Sequence, residues 1–231
     1  MNICTTLITS SLIAASLVSG AAQAALEGRD LNGSADSFEA YYDTNLDITW
    51  LADANVNGVM EWAAANTWAA NLSLVDAVNN LTYDNWRLPT VVDTGTPGCD
   101  YATTGGTDCG YNVDTATSEM AHLFYEELGN KAFYDTSGNG SQSGWGLTNT
   151  GPFTNLQATN YWSATSLPPG TGLAWDFTFY GGGQHASDKA SGYYALAVSP
   201  GDVGAVPEAD TWAMLLAGLA LIGAATRRRR G

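Results

Sequence analysis

The sequence predicts an α+β domain, and three observations carry that expectation. Short segments with alternating apolar residues recur along the chain, two segments place apolar residues at helical spacing, and Gly-, Asn- and Pro-rich stretches separate them. With 45% hydrophobic residues and 8 Trp, the chain has enough apolar side chain for a real core.

In chain order, residues 38–42 and 48–51 read as strands joined by a turn at Asp43-Thr44-Asn45-Leu46-Asp47. Trp62, Ala65, Ala69 and Leu72 share one helical face. Residues 81–86 look extended, and Pro89 ends that run by holding Leu88 out of the helical region. A second helix is signalled by Thr117 as its cap, Glu119 at its positive N-terminus, an apolar stripe of Met120, Leu123, Phe124 and Leu128, and Gly129 as its stop. His122 lies off that stripe and reads as solvent-facing or satisfied by a neighbour. Residues 135–155 form a long polar loop, the kind that is usually functional or mobile. Three antiparallel strands follow, at 161–164, 175–179 and 194–198, with Pro168-Pro169-Gly170 and Gly181-Gly182-Gly183 as turns between them. No internal repeat is visible.

The two ends have a different character. Residues 7–18 are apolar and Ala22-Gln23-Ala24 has the small-x-small form of a cleavage site, so residues 1–24 read as a signal peptide. No Lys or Arg precedes the apolar region, and Cys4 lies before it, where it does not suggest a lipoprotein. At the other end, Val206-Pro207-Glu208 leads into an uncharged run at 211–226, and Arg227, Arg228, Arg229 and Arg230 follow. As a helix that run spans roughly 24 Å, short of a ~30 Å hydrocarbon core, but four arginines at the end of a buried helix would need four partners. On a membrane they sit at the cytoplasmic side, which leaves the bulk of the chain exported.

The order Pro-Glu, apolar helix, arginine cluster resembles the PEP-CTERM sorting signal of exopolysaccharide-producing Gram-negative bacteria. The family's motif is Pro-Glu-Pro, and Ala209 stands at the third position here. The resemblance implies recognition by an exosortase-type membrane enzyme and anchoring in the inner membrane with the body in the periplasm. Transfer to the cell surface or the extracellular matrix of a biofilm would follow.

The body, 25–205, is read as one domain. With Glu208 and Asp210 set aside from 23 acids, and the tail arginines from 8 bases, it keeps 21 acids against 4 bases, near −17. Such a surface repels nucleic acid and anionic polysaccharide, so no nucleic-acid partner is expected. Cys99 and Cys109 enclose a Gly/Thr-rich excursion, and in an oxidising compartment they are expected to close a disulfide across it.

Four spaced motifs of the body carry a second resemblance: 42–50, then Trp86, Arg87, Leu88, Pro89 and Thr90, then Tyr161, Trp162 and Ser163, then Trp175 with Phe177 and Phe179. They are similar to the Lcl C-terminal domain family, a relative of the C-type-lectin-like fold shared with formylglycine-generating enzyme. That likeness implies two helices flanking a mostly antiparallel sheet with long loops on one face. It supplies no activity. The oxidase cysteines of formylglycine-generating enzymes lie late in their domain, and no cysteine follows Cys109 here. The Trp86 to Thr90 stretch reads as a structural hub, with Trp86 in the core, Arg87 paired to a buried acid and Pro89 fixing the turn.

Neither His122 nor His185 stands near a nucleophile signature, so no catalytic residues are assigned and a non-catalytic role is expected. Carboxylates are plentiful, which keeps a secreted carboxylate-pair hydrolase or a formylglycine-oxidase relative as the rival reading. No cofactor is expected; without an Asp-x-Asp-x-Asp-Gly loop, calcium has no support. Tyr101, Trp145, Tyr180 and Tyr193 lie in loops or on the opposite strand face. There they could stack on a sugar of an exopolysaccharide or another extracellular ligand, and a packed, half-buried sheet explains them equally well.

Overall fold

The computed structural model describes residues 26–34, 37–95 and 108–204. The leader, Cys99, Tyr101 and the tail with Pro207, Glu208 and Arg227 to Arg230 lie outside these. In chain order the elements are β1 (Leu26–Arg29), β2 (Ala40–Asp43), β3 (Ile48–Leu51), α1 (Trp62–Ala70), β4 (Leu74–Asp76), β5 (Leu81–Tyr83), β6 (Gly110–Tyr111), α2 (Glu119–His122) with a π-helical turn at Leu123–Glu127, β7 (Asn160–Ser166), β8 (Leu173–Thr178), β9 (Gly183–Asp188) and β10 (Val198–Pro200). Mostly antiparallel sheets with two short helices make this an α+β fold.

The β2–β3 hairpin forms as its sequence indicates, in the register Ala40↔Leu51 to Asp43↔Ile48. Asp43 Oδ1 accepts the backbone N–H groups of Asn45 and Leu46 at 3.0 and 3.1 Å, an Asx-type turn that frees the hairpin from needing glycine. All four residues of β3 are buried, as suits a strand covered on both faces. β1 adds to β2 and β10 adds to β3, so the first and last described strands share one sheet. Arg29 fastens that closure by gripping Asp202 at 2.5 and 2.8 Å.

The second sheet runs β6-β9-β8-β7, so the single sheet of the expectation is two four-stranded sheets plus the β4–β5 hairpin. The stretch 194–198 does not supply the strand beside β8. β9 takes that place, pairing along its length from Leu173↔Asp188 to Thr178↔Gly183. Its sequence, GQHASD, has no apolar alternation to announce it. Instead Ala195, Leu196, Ala197 and Val198 are buried, and Val198 crosses to pair with Trp50 of β3. An unbroken buried run between two layers reads as an alternating strand when viewed from one side only.

The extended run expected from residue 81 forms β5, and its partner β4 is the strand without a sequence signal; at the turn between them Asn80 takes φ 55° and Asp76 accepts Asn79 N–H at 2.8 Å. α1 buries Ala65 and Ala69 as its spacing indicates. Two tryptophans hold its start to β7: Trp62 Nε1 donates to Ser163 O at 2.8 Å, and Trp162 Nε1 donates to Met60 O at 2.9 Å. In α2 the cap is Ser118 rather than Thr117, its Oγ accepting Ala121 N–H at 3.2 Å. Met120, Leu123, Phe124 and Leu128 are buried as the stripe implies. His122 is buried with them rather than facing solvent, and its Nε2 lies 3.1 Å from Glu127 Oε1. Phe124 then packs on Phe177 and Phe179, and Phe179 on Tyr161, at centroid distances of 5.2 to 5.8 Å. This aromatic seam joins α2 to the second sheet, where edge-to-face pairs add to the burial term.

Candidate functional site: a structural hub and an aromatic cleft

The Trp86 to Thr90 motif lies where the layers meet. Trp86 is buried, with its indole N–H donating to Tyr83 O at 3.0 Å. Arg87 exchanges two backbone hydrogen bonds with Val198 of β10, both 2.8 Å. Its guanidinium forks onto Glu119 at 2.7 Å through each terminal nitrogen, and Glu119 Oε2 also accepts Thr90 N–H at 2.6 Å. Pro89 O accepts Ala164 N–H of β7 at 2.8 Å. One short segment therefore ties the first sheet, α2 and the second sheet together. Leu88, Tyr161, Trp162 and Ser163 are wholly or almost wholly buried around it, and Trp175 nearly so. Residues so enclosed have no surface to offer a ligand.

The four aromatics singled out from sequence do not form one group. Trp145 and Tyr180 meet edge-on, with ring centroids 5.2 Å apart. Tyr193 belongs elsewhere: it packs on Trp162 at 4.6 Å and its hydroxyl reaches Ser187 at 3.2 Å. Tyr101 lies outside the described residues. Three rings that the sequence reading passed over extend the Trp145–Tyr180 pair into a ribbon. Phe133 packs on Trp145 at 4.7 Å, Tyr134 on Phe133 at 4.8 Å, and Tyr111 on Tyr134 at 5.1 Å. The adjacent Phe133-Tyr134 pair just before the long polar loop was the signal available.

Glycine makes the junction possible. A Cβ at Gly146, which has φ +90°, would stand 2.8 Å from the Tyr180 carbonyl oxygen. No other residue lets the Trp145 backbone come this near to the β8–β9 turn.

Beside the ribbon lies a cleft of about 250 Å³ of mixed lining, with Tyr125 and Ala132 among the amides Asn112, Asn130 and Gln142 and the charged Lys131 and Asp135. Residues 131–136 belong to both: Phe133 and Tyr134 join the ribbon, while Lys131, Ala132, Asp135 and Thr136 line the cleft. Gln142 pins that loop by donating to Ala132 O and Tyr134 O at 2.7 and 3.2 Å. Asp135 folds its far end, and the N–H groups of Asn139, Ser137 and Gly138 hold its carboxyl below the usual carboxylate range. Tyr180, 60% exposed, presents its ring to solvent at the end of the ribbon. The arrangement suits a ligand with one apolar face and many hydroxyls, in which a ring stacks while amide and charged side chains of the cleft exchange hydrogen bonds.

Cys109 is buried against Val91 and Trp175 and is disulfide-bonded, while Cys99 lies outside the described residues. Among the described residues, one group of three potential metal ligands occurs, Asp43, His122 and Glu127.

Residues 205–230 match the PEP-CTERM protein-sorting motif. The chain is thus an exported protein with a C-terminal membrane-anchoring sorting signal, of the class that exosortase recognises. No curated protein and no solved structure matches it. Among the described residues no helix is long and apolar enough to cross a membrane.

Proposed function

We propose that residues 25–205 are one non-catalytic, C-type-lectin-like module related to the Lcl C-terminal domain, held at the inner membrane and then released by exosortase to the cell surface or matrix. The module binds a neutral exopolysaccharide through the Trp145–Tyr180 ribbon and the adjoining cleft. The observation that supports this most is the ribbon itself: five aromatic rings in contact, ending in an exposed tyrosine beside a cleft of amide and charged side chains. The body's excess of acids argues for a neutral rather than an anionic sugar polymer.

A glycan array probed with the exported chain tests the reading. Binding to neutral polysaccharides with no loss of glycan mass over hours supports it. Turnover that disappears on substitution of a single carboxylate would establish the hydrolase in its place.

A further inference from the structure

Where the β2–β3 turn meets the π-helical turn after α2, three ionisable side chains are closed off from water together. Asp43 is fully buried, the Glu127 side chain is 1% exposed and that of His122 is 11% exposed. His122 Nε2 lies 3.1 Å from Glu127 Oε1 and 3.9 Å from Asp43 Oδ2, and one ligand atom from each residue falls within 4.8 Å of the others. The helix geometry creates this proximity. In an α-helix residues five apart point roughly 140° away from each other around the axis. The wider turn, closed by Leu128 N–H to Leu123 O at 2.9 Å, brings Glu127 back beneath His122.

The charges do not balance. Two carboxylates face one imidazole, and the described ion pairs of the three run only to one another. The body's four bases are engaged elsewhere: Arg29 with Asp202, Arg87 with Glu119, Lys189 with Ser166, and Lys131 at the cleft. Burial and the neighbouring Asp43 push the Glu127 carboxyl above its usual range. Independently of charge, Glu127 Oε2 is buried and has no hydrogen-bond partner, whereas Asp43 Oδ1 is satisfied by the turn and Asp43 Oδ2 by Trp50 Nε1 at 3.3 Å. A buried acceptor without a donor is costly, and a cation answers it.

We propose that Asp43, His122 and Glu127 form a binding site for a divalent first-row metal ion, of the zinc class, that clips the β2–β3 hairpin to α2. Ligand atoms at ~2.0–2.1 Å from a tetrahedral zinc stand roughly 3.3 Å from one another, a value bracketed by the two separations here. Imidazole with two carboxylates suits such an ion better than the all-oxygen sets of calcium and magnesium. On the outer side of the group the exposed Asn45 amide reaches Glu127 Oε1 at 3.5 Å.

The test is titration of the metal-stripped full chain with Zn²⁺, followed by calorimetry and by ¹⁵N-edited NMR of the histidine rings. The chain has 2 histidines, so His185 is an internal control. One ion per chain, a Tm raised by several degrees and a shift confined to the His122 ring are expected. Glu127→Gln should weaken binding at least tenfold. Failure of Zn²⁺, Co²⁺ and Mn²⁺ to move the His122 signal overturns the proposal, and so does unchanged affinity in the folded Glu127→Gln chain. If that variant does not fold, the wild-type ring shift decides alone.

Discussion

Arg87 and Glu119 face each other across the junction of all three layers, joined by two parallel 2.7 Å hydrogen bonds. The fork geometry is one that only arginine offers, and the second acceptor duty of Glu119 toward Thr90 N–H draws the backbone into the same contact. Both side chains are partly exposed, so the pair contributes less than a fully buried one, but removing either partner strands the other beside the core. Arg87→Ala and Glu119→Ala are each expected to destabilise the body by about 2 kcal/mol, and the double variant by much less than the sum. Urea unfolding of the three variants measures the coupling. Arg87→Lys should recover only part of the loss.

Asp176 sits in the middle of β8 with no exposure, and burial pushes its carboxyl up to about 6, opposed in part by hydrogen bonds such as that from Asn160 Nδ2 at 2.6 Å. A carboxyl that ionises later in the folded chain than in the unfolded one favours the fold while protonated. Its contribution is full below pH ~4 and is lost as pH rises through about 6. Asp176→Asn should therefore raise stability at pH 7 by about 2 kcal/mol and flatten the stability profile between pH 4 and 7. Thermal unfolding across that range is the check.

The aromatic residues separate by role. If the ribbon binds polysaccharide as proposed, Trp145→Ala and Tyr180→Ala are expected to weaken that binding while leaving Tm within a few degrees, because each removes a ring of the contact surface. Tyr193→Ala should do the reverse, lowering stability through its lost packing on Trp162 and leaving binding unchanged. Paired affinity and melting measurements on the three variants distinguish ligand contact from packing.

How legible this was depended on whether a signal was local. Ile48 to Leu51 and the Met120, Leu123, Phe124, Leu128 stripe were readable because periodicity alone places them. β9 was not, since its position is set by pairing with β8 while its own residues are polar. Ala195 to Val198 carried the correct apolar content but the wrong destination, because a buried crossing segment and a half-buried strand look alike over four residues. Of the aromatic wall, Trp145 and Tyr180 were named from sequence. Their distance from Tyr193 and their continuation through Phe133, Tyr134 and Tyr111 depend on how a loop folds back, held by Gln142 and by the room that Gly146 leaves. The proximity of Asp43 to Glu127 depends on a helix widening that no spacing rule announces.

The sorting tail at residues 205–230 decides where the protein goes, and cell fractionation tests its role directly. The full chain and a form ending at residue 204 are expressed in cells with and without exosortase, and each is followed by fractionation and mass spectrometry. The account predicts membrane retention of the full chain without exosortase, a shortened and released product with it, and release of the truncated form in both. Equal release of the full and truncated chains, whether or not exosortase is present, would contradict it.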